Sequence, residues 1–384
     1  MKKINVALIG HKFMGRAHTH AITDLPIFFD LGDVEIVKNT ICSNEESVID
    51  IGKRWGWGKA SLDWREVIED KSIDVVSIAA PSKMHAQVAI AAAKAKKHVF
   101  CEKPLALNME DALQMVKAVE ENDVINMIGF NYRRVPALVL AKQLIEEGVL
   151  GKIYHFRAIW SQDFLTNPEY PIAWRLQKKL AGYGTHGDLG AHIIDIARYL
   201  IGEITDVCCV QKTFNKFRPK AILEDGLVAV AGTEMGEVDV DDASQFMAKF
   251  EDQDIMAYFE STRNGTGHKN QNRIEIAGSK GAVIFDMEKM NELEYYNDAD
   301  PEHLKGFRRI QVGEGCHPYM SNWWPAGHLI GYGDTFVNEY FDFFTAIREG
   351  KKVHPDFRDG LVCQKVLDAA DKSASELKWV KVDL

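Results

Sequence analysis

The fold of this chain is decided by residues 4–15, INVALIGHKFMG. The mostly apolar run 4–9 is typical of a strand that is buried in a parallel sheet. Gly10 follows this run directly, and a helical pattern begins within the loop that it opens. The sequence therefore predicts a strand, a tight turn and a helix, which is the first unit of an α/β fold.

The same turn is a candidate site for a pyrophosphate. A helix N-terminus presents free backbone N–H groups and a partial positive charge, and both favour a phosphate group. Gly10 permits the turn and Gly15 permits close packing, whereas Lys12 stands where the pattern G-x-G-x-x-G has its middle glycine. A plain turn with two glycines is the alternative. The position at the first strand favours a dinucleotide cradle made by Gly10, Lys12, Phe13, Met14 and Gly15.

Apolar runs alternate with helical patterns from residue 4 to about residue 130. We expect strands at 4–9, 34–41, 74–80, 98–101 and 125–130, with helices around Ala17, Val48, Ala89 and Val116. This alternation predicts a Rossmann domain, a doubly wound parallel sheet, over residues 1–131.

The pattern changes after Pro136. We expect helices at 137–147, 190–200, 335–348 and 360–373, a strand at 153–160 and a strand-rich stretch that extends to about residue 310. Apolar and polar residues alternate in 243–250 and 255–262, which predicts an open, mostly antiparallel sheet with one covered face. Residues 132–384 should form an α+β domain for substrate binding and oligomerisation.

Composition excludes several classes of partner. The 384 residues include 46 Lys and Arg against 56 Asp and Glu, a formal charge of −10, so nucleic acid is not an expected partner. No apolar run approaches the ~20 residues of a membrane helix, and we expect the mature protein to start at Met1. The six cysteines lack the spacing of a disulfide scaffold, which favours a reducing cytoplasm.

The end of the second strand bears on the choice of cofactor. Cys42, Ser43 and Asn44 occupy the place where NAD-binding folds usually have a carboxylate for the ribose hydroxyls. No arginine is there to pair with a 2′-phosphate, and Glu45 and Glu46 would repel one. The sequence mildly favours NAD and leaves NADP open.

Two later strands end in polar residues. Pro81 and His85 follow the strand at 74–80, and Glu102, Lys103 and Pro104 close the next strand. Ligands of parallel sheets bind beyond the carboxyl ends of the strands, so Pro81, His85, Glu102 and Lys103 are candidate cofactor contacts. A surface lysine is the alternative for Lys103, and Glu102 is placed to pair with it or orient it.

A second cluster lies in residues 182–195. Asp188 and His192 are four positions apart, so a helix would place them on one face, with Asp195 three positions further along. A carboxylate beside an imidazole suits a general base. A capped helix with a structural histidine is one alternative, and a metal site of His186, Asp188, His192 and Asp195 is another.

Together, the loop at 10–15, the Glu-Lys-Pro segment at 102–104 and the Asp-x-x-x-His motif at 188–192 resemble the Gfo/Idh/MocA oxidoreductases. The resemblance covers essentially the whole chain, and residues 13–18, 130–134 and 331–335 look most like its sugar and cyclitol dehydrogenases. It implies a Rossmann domain, a C-terminal domain with a large open sheet, a nicotinamide cofactor and frequent tetramers. Lys12 and Cys42 depart from the commonest pattern of the family.

A polyol pocket needs planar polar groups and an aromatic face. The candidates for contacts to substrate are Lys103, Tyr132, Arg133, Gln162, Trp174, Arg175, Asp188, His192 and His328.

We expect oxidation of a secondary hydroxyl of a sugar, glycoside or cyclitol, for which hydride transfer requires no metal. His192 would take the hydroxyl proton, Asp188 would orient His192, and Lys103 would hydrogen-bond the reacting oxygen. Two alternatives stay open: an NAD-dependent glycoside hydrolase or lyase that uses transient oxidation at C3, and a non-enzymatic regulator that responds to a dinucleotide. Strands in excess of the helices predict a homodimer or homotetramer packed through an apolar sheet face.

Overall fold

A computed structural model describes residues 1–225, 228–251 and 254–384. Its strands in chain order are β1 Lys2–Ile9, β2 Val34–Cys42, β3 Lys59–Ser61, β4 Val75–Ile78, β5 His98–Glu102, β6 Asn126–Gly129, β7 Ile153–Ser161, β8 Ile204–Lys212, β9 Phe217–Asp225, β10 Val228–Glu237, β11 Ala243–Phe250, β12 Met256–Thr262, β13 Gln271–Gly278, β14 Gly281–Asp286, β15 Glu292–Asn297, β16 Arg308–Gln311 and β17 Val380–Lys381. Its α-helices are α1 Phe13–Phe28, α2 Ser47–Trp55, α3 Trp64–Glu69, α4 His85–Lys94, α5 Met109–Glu121, α6 Pro136–Glu146, α7 Lys178–Ala181, α8 Ala191–Leu200, α9 Tyr332–Glu349 and α10 Phe357–Glu376.

The chain forms two compact units, and the first consists mainly of Met1–Asn131 and Tyr332–Leu361. Its six strands lie in the order β3-β2-β1-β4-β5-β6, and neighbouring strands run parallel. The order reverses between β1 and β4, and in such sheets the ligand binds beyond the strand ends at this switch point. The predicted Rossmann fold and its five strands are confirmed.

The first unit differs from the sequence prediction in two respects: β3 and α3 were not expected, and the helix expected at 335–348 was assigned to the second domain. The short strand β3 and helix α3 follow α2, in a stretch with little periodicity. Helix α9 also belongs to this unit, where its buried aromatic residues pack on the sheet: Tyr340 stacks on Phe100 of β5 with ring centroids 4.6 Å apart. The aromatic side chains of α9 therefore cover one face of the sheet with apolar surface.

The second unit consists mainly of Tyr132–Glu224, Ala229–Gly331 and Val362–Leu384. Its nine-stranded sheet has the order β16-β15-β14-β13-β7-β12-β11-β8-β17. Strands β12 and β7 run parallel, and the other neighbours in this described sheet run antiparallel. The prediction of a large, mostly antiparallel sheet is confirmed.

The outward face of this sheet is less apolar than the sequence indicated. Residues of β11 alternate strictly between buried and exposed, and exposed Met247 has polar Gln245 and Lys249 on the same side. Across the sheet, Arg157 of β7 pairs with Glu275 of β13. Exposed apolar side chains are instead concentrated in the separate β9–β10 hairpin: Phe217, Ile222, Leu223, Val228, Val230 and Met235.

None of the helices in the described residues has the length and apolar character that crossing a membrane requires.

Candidate active site

The loop after β1 has the shape of a phosphate cradle. Gly10 adopts φ +108°, and a Cβ there would lie 2.3 Å from the carbonyl oxygen of Ala79. A Cβ on Gly15 would lie 2.3 Å from the oxygen of Gly10. Side chains at either position would therefore collide with backbone, so both glycines are needed to bring α1 close to the strand ends.

Lys12, which stands where the pattern has its middle glycine, directs its side chain toward the loop after β2. Its ammonium group lies 2.7 Å from a carboxylate oxygen of Glu45, in the loop after β2. The same carboxylate oxygen lies 3.6 Å from Nε2 of His11, whose ring nitrogen also contacts Ser47. Phe13 is exposed at the start of α1. Glu45 thus brings a carboxylate to the loop that follows β1.

Cys42, which stays a predicted cofactor contact, is the last residue of β2. Cys42 is buried in the sheet, and burial raises the pKa of its thiol to about 12. Its carbonyl oxygen accepts the Gly10 N–H at 2.8 Å, so Cys42 shapes the cradle through its backbone. Ser43 and Asn44 follow with increasing exposure and remain predicted contacts.

Glu102 is held inside the first unit by His18. The side chain of His18 is buried, with Nε2 at 3.0 Å from Oε1 of Glu102 and Nδ1 at 2.7 Å from Oγ of Ser77. The hydroxyl of Tyr340 lies 2.7 Å from the same Oγ. A Cβ on Gly129 would lie 2.8 Å from Oε1 of Glu102, so glycine is needed to admit this carboxylate.

This network fixes Glu102, which stays a predicted cofactor contact. Its carboxylate is buried and lies 3.0 Å from Nε2 of His18. Its Oε2 accepts the backbone N–H of Lys103 at 3.3 Å. Glu102 therefore fixes the main chain from which the half-exposed Lys103 side chain extends.

His85, which stays a predicted cofactor contact, links two loops of the first unit through its ring nitrogens. One ring nitrogen lies 2.9 Å from the oxygen of Pro104, and the other lies 3.0 Å from the oxygen of Ala80. Burial lowers the pKa of His85, which favours the neutral ring. The imidazole ties the loop after β4 to the loop after β5, next to exposed Pro81.

In the second unit, the Asp188 and His192 segment is not a continuous α-helix. Residues His186–Gly190 form a π turn that leads into α8, so the four-residue spacing expected of an α-helix does not apply at Asp188. The carboxylate of Asp241 accepts the backbone N–H groups of Gly184 at 3.0 Å and His186 at 2.8 Å. Asp241 therefore caps the start of this segment.

His192 is buried between two aromatic rings. Its ring lies 4.9 Å from that of Tyr132 in a T-shaped arrangement and 5.0 Å from that of Trp160. Tyr132 and Trp160 also contact each other at 4.9 Å. This packing fixes the plane of the imidazole, as a general base requires, and it places the predicted residue Tyr132 at His192.

Two arginines bracket the carboxylate of Asp188. Nη2 of Arg263 donates to Oδ2 of Asp188 at 2.7 Å, and Nε of Arg175 lies 3.8 Å from the same oxygen. The guanidinium of Arg175 is stacked on the ring of Trp174 at 4.4 Å. The predicted substrate residues Trp174 and Arg175 therefore lie beside Asp188, whose carboxylate is approached by two guanidinium groups.

Arg133, which stays a predicted substrate contact, forms a buried ion pair with Asp195. The guanidinium of Arg133 donates twice to Asp195, at 2.8 and 2.6 Å, and both residues are buried. Arg133 thus anchors α8, because a buried carboxylate of this kind needs a cationic partner. The alternative metal site loses support, since His186 is bonded to Ser244 and to the oxygen of Leu367.

Two more predicted residues lie in loops of the second unit. The Gln162 amide donates to Oδ1 of Asn270 at 2.8 Å, and Nε1 of Trp160 donates to the same oxygen at 3.0 Å. His328 is exposed, with Nδ1 at 2.9 Å from the oxygen of Pro325. Gln162 is therefore linked to the ring that packs on His192, whereas His328 stays a prediction.

Comparison with known proteins gives matches over the whole chain. Residues 4–130 match a family model described as the oxidoreductase family, NAD-binding Rossmann fold, and residues 138–284 match the GFO/IDH/MocA C-terminal domain. The chain is 42% identical to levoglucosan dehydrogenase of Pseudarthrobacter phenanthrenivorans, over 100% of this chain and 99% of that protein. It is 27% identical to myo-inositol 2-dehydrogenase of Thermotoga maritima, over 99% of each chain.

A solved structure of levoglucosan dehydrogenase in complex with NADH and levoglucosan has the same fold. The TM-score is 0.94 at 40% identity, and the match covers 99% of both chains.

Proposed function

Because the chain belongs to the Gfo/Idh/MocA family of NAD-binding oxidoreductases, we propose that it oxidises a secondary hydroxyl of a sugar, glycoside or cyclitol to a ketone. Its similarity to levoglucosan and inositol dehydrogenases over essentially the full chain makes it an NAD-dependent dehydrogenase that acts on a CH–OH group. The observation that carries the proposal is the presence, in one unit, of an imidazole held between aromatic rings, His192, and of a carboxylate held by an arginine, Asp188.

His192 is the proposed general base. Its ring is held by Tyr132 and Trp160, so little reorientation is needed when it accepts the hydroxyl proton. Asp188, fixed by Arg263, is the proposed partner that orients substrate and base by hydrogen bonding. A carboxylate in this role stabilises the imidazolium that forms.

Lys103 is proposed to hydrogen-bond the reacting oxygen. Its ammonium group would stabilise negative charge that develops as the hydroxyl proton leaves. The backbone beneath it is fixed by Glu102, and Pro104 restricts the conformation of Lys103 further.

The first unit fits NAD. A side chain at position 10 or 15 would collide with the backbone of the loop. Because both residues are glycine, the loop can approach a pyrophosphate at the start of α1. Glu45, already paired with Lys12, would accept ribose hydroxyls and repel a 2′-phosphate. Bound NAD supplies the hydride acceptor of the reaction.

A substrate panel tests this function. The enzyme is incubated with NAD and a set of sugars, anhydrosugars and inositols, and NADH and products are quantified. We expect NADH to form in proportion to a keto product for at least one of them. Turnover of a glycoside without net NADH would instead support transient oxidation followed by elimination.

We also propose that the chain forms a homodimer or homotetramer. The exposed apolar residues of the β9–β10 hairpin, including Ile222 and Leu223 on opposite faces, support burial against a second copy. A cytoplasmic location is proposed from the cysteines, since all six are free thiols and a reducing compartment keeps them so.

A further inference from the structure

Arg263 is a buried cation with unused hydrogen-bond donors. Its side chain is only 1% exposed, and one of its nitrogens, Nη2, donates to Asp188. Neither Nε nor Nη1 has a hydrogen-bonding partner in the part of the chain that the structure describes. Buried donors are almost always paired, because each has lost its water. An acceptor from outside the chain therefore belongs at this guanidinium.

The unpaired donors lie at the proposed reaction site. They belong to the same planar group as the nitrogen that binds Asp188, and the Asp188 side chain is 31% exposed. The Asp188 side of the ion pair is thus open to a ligand, and the Arg263 guanidinium lies directly behind it. Arg175 also approaches the same carboxylate oxygen, so Asp188 has a second cationic neighbour.

The surroundings fit a sugar. The ring of Phe164 lies 5.8 Å from the guanidinium carbon of Arg263 and is partly exposed. The next residue, Asn264, donates to the oxygen of Leu165 at 3.1 Å, while its Oδ1 has no partner among the described residues. An aromatic face with donors and an acceptor nearby suits the C–H face and hydroxyl groups of a sugar ring.

We propose that Arg263 is a substrate-binding residue as well as the partner of Asp188. Nη2 holds the carboxylate, and Nε or Nη1 donates to a sugar oxygen other than the one that is oxidised. This inference rests on the proposed function. Arg263 would therefore contribute to the substrate specificity of the enzyme.

The experiment combines an enzyme variant with substrate analogues. Dissociation constants are measured by calorimetry, in the presence of NADH, for the best sugar of the panel and for analogues that each lack one hydroxyl. Arg263→Lys keeps the positive charge toward Asp188 but loses the planar fork of donors. Arg157→Lys, on the outward face of the sheet, is the matched control.

We expect Arg263→Lys to weaken binding of the parent sugar by about 10- to 100-fold, the range for a hydrogen bond to a charged group. For one analogue, which lacks the oxygen that Arg263 contacts, the same substitution should change binding less than about twofold. The control should bind every compound as the wild type does. An equal loss for the parent and all analogues would overturn the inference and leave Arg263 as the holder of Asp188 alone.

A crystal structure of the wild-type enzyme with NADH and the same sugar gives an answer that does not depend on the folding of a variant. A sugar oxygen within hydrogen-bonding distance of Nε or Nη1 supports the inference. An ordered water at both nitrogens in the sugar complex would refute it. Failure of every sugar to bind or react would instead overturn the proposed function itself, and the inference with it.

Discussion

Nε2 of His18 lies 3.0 Å from Oε1 of Glu102, across 84 positions of sequence, in the interior of the first unit. The other ring nitrogen of His18 contacts the hydroxyls of Ser77 and Tyr340. One imidazole therefore joins α1, two central strands and α9, directly beneath the backbone of Lys103.

Replacement of His18 by Phe should destabilise the protein. Phe fills the space but leaves the Glu102 carboxylate buried without its partner, and we expect the free energy of unfolding to fall by about 3 kcal/mol. The double variant His18→Phe, Glu102→Leu should recover most of this loss. Urea denaturation measures both, and a single variant as stable as the wild type would contradict the role of His18.

Replacement of His192 by Ala should abolish most of the turnover. Loss of the general base lowers kcat by about 10²- to 10⁴-fold, while NADH affinity, measured by fluorescence titration, should stay unchanged. The EDTA-treated wild type should retain its activity. Near-native kcat in the variant would remove His192 from the mechanism, and activity lost to EDTA and restored by a metal would revive the metal alternative.

Glu45 should set the cofactor preference. We expect a higher kcat/KM with NAD than with NADP, because the Glu45 carboxylate repels a 2′-phosphate. Glu45→Gln should raise kcat/KM for NADP by about fivefold, or about 1 kcal/mol, because it removes the negative charge that the neighbouring Lys12 ammonium now balances. Exposed Glu69→Gln is the control. A wild-type enzyme that prefers NADP more than about tenfold would show that another group receives the phosphate.

Asp368 should make the protein less stable as the pH rises. Burial and then the nearby Asp371 raise the pKa of Asp368 to about 6, whereas an aspartate in an unfolded chain has a pKa of about 3.9. Between these values the folded protein holds a proton that the unfolded chain releases. The stabilisation is therefore complete below the unfolded pKa and is lost as pH rises through the folded pKa.

Asp368→Asn cannot ionise and still accepts a hydrogen bond from Tyr183, the partner of Asp368. We expect this variant to exceed the wild type in unfolding free energy by about 1 kcal/mol at pH 8 and to match it near pH 4. Asp50→Asn, almost fully exposed on α2, should show no such difference. Urea denaturation at pH 4 and pH 8 measures the unfolding free energies. An equal difference between variant and wild type at both pH values would exclude a titration of Asp368 as its cause.

The β9–β10 hairpin should carry the contact between copies. Ile222→Glu and Leu223→Glu place a charge on each face of the hairpin, and we expect light scattering to report a smaller mass for these variants than for the wild type. Leu62→Glu, at an exposed position of the first unit, should leave the mass unchanged. A wild-type protein that is monomeric at micromolar concentration would disprove the assembly.

The features that could be predicted from the sequence are those that depend on local patterns of residues. The parallel strands, the glycine loop and the position of His192 in a helix depend on neighbours along the chain. The partners of these residues could not be predicted in this way: Arg263 is 75 positions from Asp188, and Tyr340 is 322 positions from His18. A pairing over such distances leaves no periodic signal.

One signal for Arg263 was present in the sequence. The alternation of β12 buries Ala257, Phe259 and Ser261, and one more step of two places Arg263 on the same covered face. A cation at a buried position needs a carboxylate or a ligand, so continuing the alternation past the strand end would have marked this residue as a functional candidate.

Helix α9 has a consequence for how the protein is made. The ribosome completes residues 1–131 long before it reaches Tyr332–Glu349, yet Tyr340, Phe343 and Phe344 of that helix are the buried cover of the first unit. Until they emerge, Phe100 and the buried polar groups around His18 lack part of their packing. The nucleotide-binding half therefore cannot mature during translation as an independent product, and a gene truncated after residue 131 should yield an aggregation-prone fragment.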